Sequence, residues 1–291
     1  MSEIITRQPV TDDISALHHI WNKAFGTVGL ESFFKHIYNP KMCLVADAKN
    51  TPVAMGYLIP TGNIKFGDVS AKCAMIYSVA TLPGHRSKGL GTTIVNDLIN
   101  LSRELGYSAV VLCPSNDDLF TYYSQCSELL DWFYVNEQVI NEIPAGTKSI
   151  TPVKLSAKEY NSLREKLLSN VFHIKHDLSV IEYQDNLCSE LGGGLFMIGD
   201  ACAVIEYQPN KSVWVKELLT PDLKVIDIAT DANTVDIIAS IATMFPSTEY
   251  TIRLPSQSGM WRRFGMLAFA DSLPDSLTET GFAPWYGMAF D

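Results

Sequence analysis

Arg86, Lys88, Gly89, Gly91, Thr92 and Thr93 lie within eight residues of one another, in the stretch LPGHRSKGLGTTIV that spans 82–95. Their types and order suit an anion. The first turn of a helix leaves backbone N–H groups without internal partners, and the helix dipole places partial positive charge at the same end. Glycines at 89 and 91 remove the side chains that would keep an anion from those N–H groups. The two cations add charge and the threonines add hydroxyls. Such a set of parts binds a diphosphate. It also accounts for local positive charge in a chain whose formal net charge is −10.

Two common diphosphate motifs fail on residues. Gly84 and Gly89 have the spacing of a Walker loop, but Leu90 and Gly91 stand where the lysine and hydroxyl residue belong. The dinucleotide fingerprint lacks its third glycine, since Ile94 occupies that place, and no suitable acidic residue ends a following strand. Arg86-Ser87-Lys88-Gly89-Leu90-Gly91 does match the Arg-x-x-Gly-x-Gly signature of the GCN5-related N-acetyltransferases (GNAT), and the chain resembles that family on both sides of it. Upstream, VATLPGHR resembles the family's strand-to-loop segment. Downstream, Asn116-x-x-Leu119-x-x-Tyr122-Tyr123 looks like its second motif, N-x-x-A-x-x-[FY]-Y.

The resemblance implies acetyl-CoA as cosubstrate, with no metal. Its pyrophosphate would be held by the N–H groups of Ser87, Lys88, Gly89, Leu90, Gly91 and Thr92, beside Arg86. The backbone at Val79 and Thr81 would pair with the pantetheine arm, and Asn116 and Tyr122 complete the cosubstrate side. Acetyl transfer to a primary amine then needs mainly positioning, an N–H donor for the oxyanion, expected from the backbone at Val79 and Ala80, and a proton for the leaving thiolate, expected from Tyr123. The alternative for Tyr123 is an aromatic packing role. No motif names the base. Glu31, on a helix that overlies the acceptor cleft in this family, is one candidate, with a solvated helix glutamate as the alternative. Asp291 is another, because in the resembling aminoglycoside enzymes the terminal carboxylate reaches the active site and this sequence ends WYGMAFD. The alternative there is a terminal edge strand without a catalytic role.

The elements that must position these residues alternate. Ile14 to Phe25 and Leu30 to Tyr38 have helical spacing, and strands are expected at 42–47, 51–62 and 72–83. A helix is expected from about Gly89 to Leu105, with Leu90, Ile94, Val95, Leu98, Leu101 and Leu105 on one side and Gly106 as its stop. The nearly all-apolar 108–115 reads as a buried strand. A short helix over 118–126, capped by Asn116 or Asp117, and a strand at 132–140 follow. Residues 141–154 read as a linker. Beyond them come a helix at 156–170, strands at 194–199, 201–208 and 212–221, a helix near 234–244, and strands at 249–256, 265–270 and 285–291. Gly192, Gly193 and Gly194 read as a turn.

The order strand, strand, strand, helix, strand occurs in both halves, which predicts an α/β fold with a mixed sheet built as two similar domains, 1–143 and 151–291. Pro221 is comparable in place to Pro83, but DLKVIDIATDANT contains no Arg-x-x-Gly-x-Gly. The second domain is therefore expected to be a degenerate GNAT-like domain that does not bind CoA. The whole chain resembles the tandem-domain acetyltransferases related to the enhanced-intracellular-survival aminoglycoside acetyltransferases. One departure is the missing Gly-Phe after the tyrosines, where SQCSELLDWF stands.

Composition narrows the rest. An acidic chain without a basic stripe is not a nucleic-acid binder. No apolar run approaches the roughly 20 residues needed to cross a bilayer, and MSEIITRQPVTDD lacks the features of a signal peptide, so a cytoplasmic protein without a membrane partner is expected. Six scattered cysteines form no close pairs and read as buried thiols. The histidines have no zinc spacing. Trp21, Phe25, Phe33, Phe34 and Tyr38 read as core, with an amine-binding aromatic surface as the alternative. An exposed edge strand or the apolar C-terminal segment would support a homo-oligomer. The leading expectation is an N-acetyltransferase acting on a small-molecule or peptide amine. Its rivals are a non-catalytic CoA-binding sensor or scaffold, and an acyltransferase for longer acyl chains.

Overall fold

The computed structural model describes residues 4–67, 69–143, 145–208, 212–223, 228, 230–255, 262–270 and 283–290. Along the chain run β1 (Ile4–Arg7), α1 (Ile14–Phe25), α2 (Leu30–His36), β2 (Cys43–Ala48), β3 (Pro52–Phe66), β4 (Val69–Thr81), α3 (Leu90–Glu104), β5 (Ala109–Leu112), α4 (Asp117–Cys126) and β6 (Leu130–Ile140). Next come β7 (Val153–Lys154), α5 (Ala157–Leu167), β8 (His173–His176), α6 (Leu178–Glu190), β9 (Gly194–Ile198), β10 (Ala201–Tyr207), β11 (Val213–Leu219), α7 (Ala232–Met244), β12 (Tyr250–Leu254) and β13 (Arg262–Phe269).

The chain forms two compact units, and neither is one continuous stretch. The first comprises Met1–Asn63, Ala71–Asp131 and Gly265–Leu273, and the second Ile64–Ser70, Trp132–Phe264 and Pro274–Asp291. A single cut in the linker therefore does not describe the units. The expected linker is itself anchored within the second unit: Asp236 on α7 accepts the N–H groups of Thr147 (2.5 Å) and Lys148 (3.1 Å), and Ile150 N–H donates to Ser240 at 3.2 Å.

In the first unit the strand order is β1-β2-β3-β4-β5-β13. β4 and β5 are parallel, and α3 makes the crossover that a parallel pair requires. β13 closes the far side of β5 antiparallel, with Met266 opposite Leu112 and Phe269 opposite Ala109. α3 begins after Gly89, which is left-handed at φ 77°, and its chain turns away at Gly106, φ 79°. Leu90, Ile94, Val95, Leu98 and Ile99 press into a core with Ala54, Leu58, Ala74, Ile76, Val110, Leu112, Phe120, Tyr123 and Met266. Each such aliphatic side chain contributes about 1.5–3 kcal/mol by leaving water. Leu105, expected on this stripe, lies past the last helical residue and is exposed, while Ile99 and Ser102 are buried instead.

The second unit repeats the scheme with order β6-β12-β11-β10-β9-β7 and the parallel pair β11/β12 bridged by α7. α5 opens with a capping box in which Ser156 and Glu159 satisfy each other's backbone N–H groups. The Gly192–Gly194 stretch is the turn after α6, with Gly192 and Gly193 donating back to Ser189 and Cys188. The expected strand at 285–291 does not form over 286–290. Trp285 makes one isolated bridge to His173, and Asp291 lies outside the described residues. The segment is nevertheless buried, held by the two backbone bonds of Trp285 to Phe172 and Ile174 and by side chains. Of the cysteines, Cys43, Cys73, Cys188 and Cys202 are buried, whereas Cys113 and Cys126 are only partly covered. No helix among the described residues is long and apolar enough to cross a membrane.

Candidate active site

The parallel β4/β5 ladder is short. It pairs Cys73 with Ala109, Ala74 with Val110, Met75 with Val111 and Ile76 with Leu112. There β5 ends, and β4 runs on from Tyr77 to Thr81. Ser78, one residue further, has φ 50°, a left-handed residue inside a strand. That geometry kinks the strand, and a serine holds it only where surrounding structure enforces it. Val79, Ala80 and Thr81 therefore line a stretch of β4 past the point where its parallel neighbour stops.

The loop beyond leads to the N-terminus of α3. The helix's first i→i−4 bond is Thr93 N–H to the Gly89 carbonyl at 3.0 Å, so the N–H groups of Leu90, Gly91 and Thr92 have no partner in the helix. No acidic residue stands in that first turn to offset the dipole. Ser87 is left-handed at φ 59°. The two cations are tethered to the loop's own carbonyls, Arg86 Nε to Thr81 at 3.1 Å and Lys88 Nζ to Gly84 at 3.1 Å. A diphosphate fits this end: bare glycine backbone, an uncompensated positive dipole and two exposed cations.

α4 lays two tyrosines against the same region with different fates. Asn116 caps α4 by accepting the Leu119 N–H at 3.0 Å, so its side chain is engaged in the fold. The Tyr122 ring packs edge-on against that of Tyr123, centroids 5.1 Å apart. It is partly exposed, and its hydroxyl meets that of Thr92 at 2.8 Å. A side chain at Gly91 would put its Cβ 3.2 Å from the same hydroxyl. Tyr123 points inward, 7% exposed, and belongs to the α3 core together with the partly buried Val79 and Leu82. Burial pushes its phenol well above the ordinary tyrosine value, so the group stays protonated.

The remaining candidates fall elsewhere. Glu31 stands exposed in the first turn of α2. Trp21 and Phe33 are core, with ring centroids 4.9 Å apart, whereas Phe25 is 46% exposed. Sequence reasoning missed Tyr77 and Ser78 at the parting of the strands, and nothing in their letters marks a kink. It also missed Gly56 on β3. There a Cβ would lie 2.7 Å from Ile94 and 2.8 Å from Leu98, so α3 rests directly on the strand. Glycine in a strand interior is the available signal for such close approach.

Residues 11–126 match the Acetyltransferase (GNAT) family. The matched part of the chain contains the loop, α3, the strand parting and both tyrosines. No curated protein sequence matches the chain. Among solved structures it is similar to a GCN5-related N-acetyltransferase from Anabaena variabilis, at 14% identity and TM-score 0.68 over 92% of this chain and 73% of that one. It is also similar to Eis1 from Mycobacterium abscessus, at 10% identity and TM-score 0.62 over 93% and 74%. A tandem GNAT protein from the clavulanic acid biosynthesis pathway aligns at 11% identity and TM-score 0.57, over 94% of this chain and all of that one. The fold is thus that of the tandem GNAT proteins.

Proposed function

We propose that the protein transfers an acetyl group from acetyl-CoA to a primary amine of a small molecule or peptide, by direct attack within a ternary complex. The observation that carries this reading is the β4/β5 parting at Ile76 and Leu112 beside a helix N-terminus stripped to Gly89 and Gly91. The loop from Ser87 to Thr92, with Arg86, would hold the pyrophosphate, and the β4 backbone from Val79 to Thr81 would hold the pantetheine arm. In the reaction the amine nitrogen bonds to the thioester carbonyl carbon and the carbon–sulfur bond breaks. A backbone N–H at Val79 or Ala80 steadies the negative oxygen. Tyr123, kept protonated by its burial, supplies the proton that the departing thiolate takes. The proton lost by the amine passes to water. Glu31, exposed in the first turn of α2, makes no hydrogen bond or ion pair among the described residues that would orient it as a base, which favours solvent in that role.

Calorimetric titration with acetyl-CoA tests the reading, using the wild type and an Arg86→Ala, Gly89→Glu variant. Saturable binding to the first and none to the second is expected. A folded wild type that binds no CoA would overturn it.

A further inference from the structure

Resting on the acetyl-transfer reading above, we infer that Tyr77 sets the length of the acyl group this protein accepts and restricts it to short chains. Tyr77 is the first β4 residue past the last parallel pair, Ile76 with Leu112, and it precedes the kink at Ser78. Side chains alternate across a strand. Ala74 and Ile76 enter the core under α3, whereas Tyr77 turns to the opposite face. There its ring centroid lies 6.0 Å from that of Trp21 and 5.6 Å from that of Phe33. A donor anchored by its diphosphate on the α3 side and led along β4 through the strand parting brings its acyl end to that opposite face. Past the small side chains of Ala80 and Ser78, the first aromatic side chain on that stretch of β4 is Tyr77.

The wall is braced from behind. Trp21 is 3% exposed, Phe33 1% and Tyr57 1%, and their rings interlock, Phe33 with Tyr57 at 4.8 Å and Trp21 with Phe33 at 4.9 Å. Tyr77 itself is only half-buried. To admit a longer chain the ring would have to move into space that Trp21 and Phe33 already fill, and close-packed aromatic cores resist such overpacking. An acetyl methyl passes in front of the ring. Several further methylenes meet it.

The test titrates CoA, acetyl-CoA, butyryl-CoA and octanoyl-CoA into the full chain as wild type, Tyr77→Phe and Tyr77→Ala. In the wild type, CoA and acetyl-CoA should bind comparably and octanoyl-CoA at least about tenfold more weakly, the scale on which a fixed pocket discriminates by methylenes. Tyr77→Phe should keep that ratio. Tyr77→Ala should abolish it while leaving the affinity for CoA itself unchanged, which general damage to the fold would not do. If the alanine variant does not fold, Tyr77→Leu takes its place and should narrow the ratio. Octanoyl-CoA binding as tightly as acetyl-CoA to the wild type would overturn the gate alone. So would a ratio unchanged by loss of the ring. A folded wild type that binds none of the four would overturn the acetyltransferase reading and the gate with it.

Discussion

Arg164 and Glu217 form an ion pair, Nε to Oε1 at 2.9 Å, with neither side chain exposed. Tyr160 donates its hydroxyl to the same oxygen at 2.6 Å, and the Trp285 indole donates to Oε2 at 2.6 Å. The rest of the guanidinium reaches the carbonyls of Ile174 (2.8 Å) and Tyr286 (3.2 Å). Gly287, at φ 83°, passes so close that a Cβ would lie 2.0 Å from Glu217. A charged clasp thus joins the backbone bonds of Trp285 to Phe172 and Ile174 in fastening residues 285–287 into the second unit.

Breaking one side of a buried pair leaves the other charge without compensation, at a cost of about 3–5 kcal/mol. Glu217→Gln and Arg164→Met should each lower the unfolding free energy of the second unit by that measure. The double variant Arg164→Met, Glu217→Leu should cost less than either, since no charge is left stranded. Tryptophan fluorescence against urea reads this. Additive losses in the double variant would mean that the two residues act independently.

Gly56 carries the closest approach of α3 to the sheet. A methyl group there would sit 2.7 Å from Ile94 and 2.8 Å from Leu98, both fully buried in the α3 core. Gly56→Ala should therefore destabilise the first unit by about 1–3 kcal/mol through overpacking, although alanine is ordinarily the easier residue to order. Thermal melting with and without CoA checks it. An unchanged melting temperature would show that α3 can shift to make room.

Tyr123 has the proton that the proposed reaction needs. Its folded-state value lies above the ordinary tyrosine range because burial disfavours the phenolate. The acid form is present at every pH below that raised value. Tyr123→Phe should then lower kcat by about a hundredfold while leaving CoA affinity intact, and the loss should be uniform from pH 6 to about 10. A wild-type alkaline decline near pH 8 to 9 that disappears in the phenylalanine variant would contradict a buried, protonated Tyr123.

What was legible in the sequence was the chemistry that the backbone itself writes. α1 has the expected ends, Ile14 and Phe25, and α3 lies between Gly89 and Gly106, because apolar spacing and glycine stops are local properties. Less legible were features decided by distant partners. His173 and His176 carry no spacing that marks a site, yet their stretch forms β8 with both imidazoles buried. Glu165 meets one at 3.2 Å and the Tyr286 carbonyl meets the other at 3.0 Å. Residues 285–290 read as a strand from their apolar run, but among the described residues strand-type backbone bonds are made only by Trp285, and the side chains that grip the segment include Arg164 and Glu217, far away in the chain. Adjacent letters also conceal opposite faces: only the packing of α4 shows that Tyr122 meets Thr92 while Tyr123 enters the core. Ser78 carries no letter that predicts its backbone.

Asp13 should make the first unit sensitive to acid. Arg7 grips its carboxylate with Nη1 to Oδ2 at 2.6 Å and Nη2 to Oδ1 at 3.1 Å, and the Val10 N–H adds a bond of 2.8 Å. Arg7 Nε also reaches Asp47 on β2 at 2.7 Å, so one guanidinium ties β1, the start of α1 and β2 together. The hydrogen bond from Arg7, ahead of that from Val10 and against the cost of burial, holds Asp13 below its ordinary value. A depressed carboxylate stabilises the fold above its unfolded value, near pH 4, and that contribution is lost as pH falls through the folded value. Asp13→Asn keeps the shape and removes the charge. It should cost about 1–3 kcal/mol at neutral pH, with the difference from wild type shrinking as pH drops below about 4. Melting temperatures of both proteins across that range decide the matter, since parallel acid limbs would assign the sensitivity to carboxylates other than Asp13.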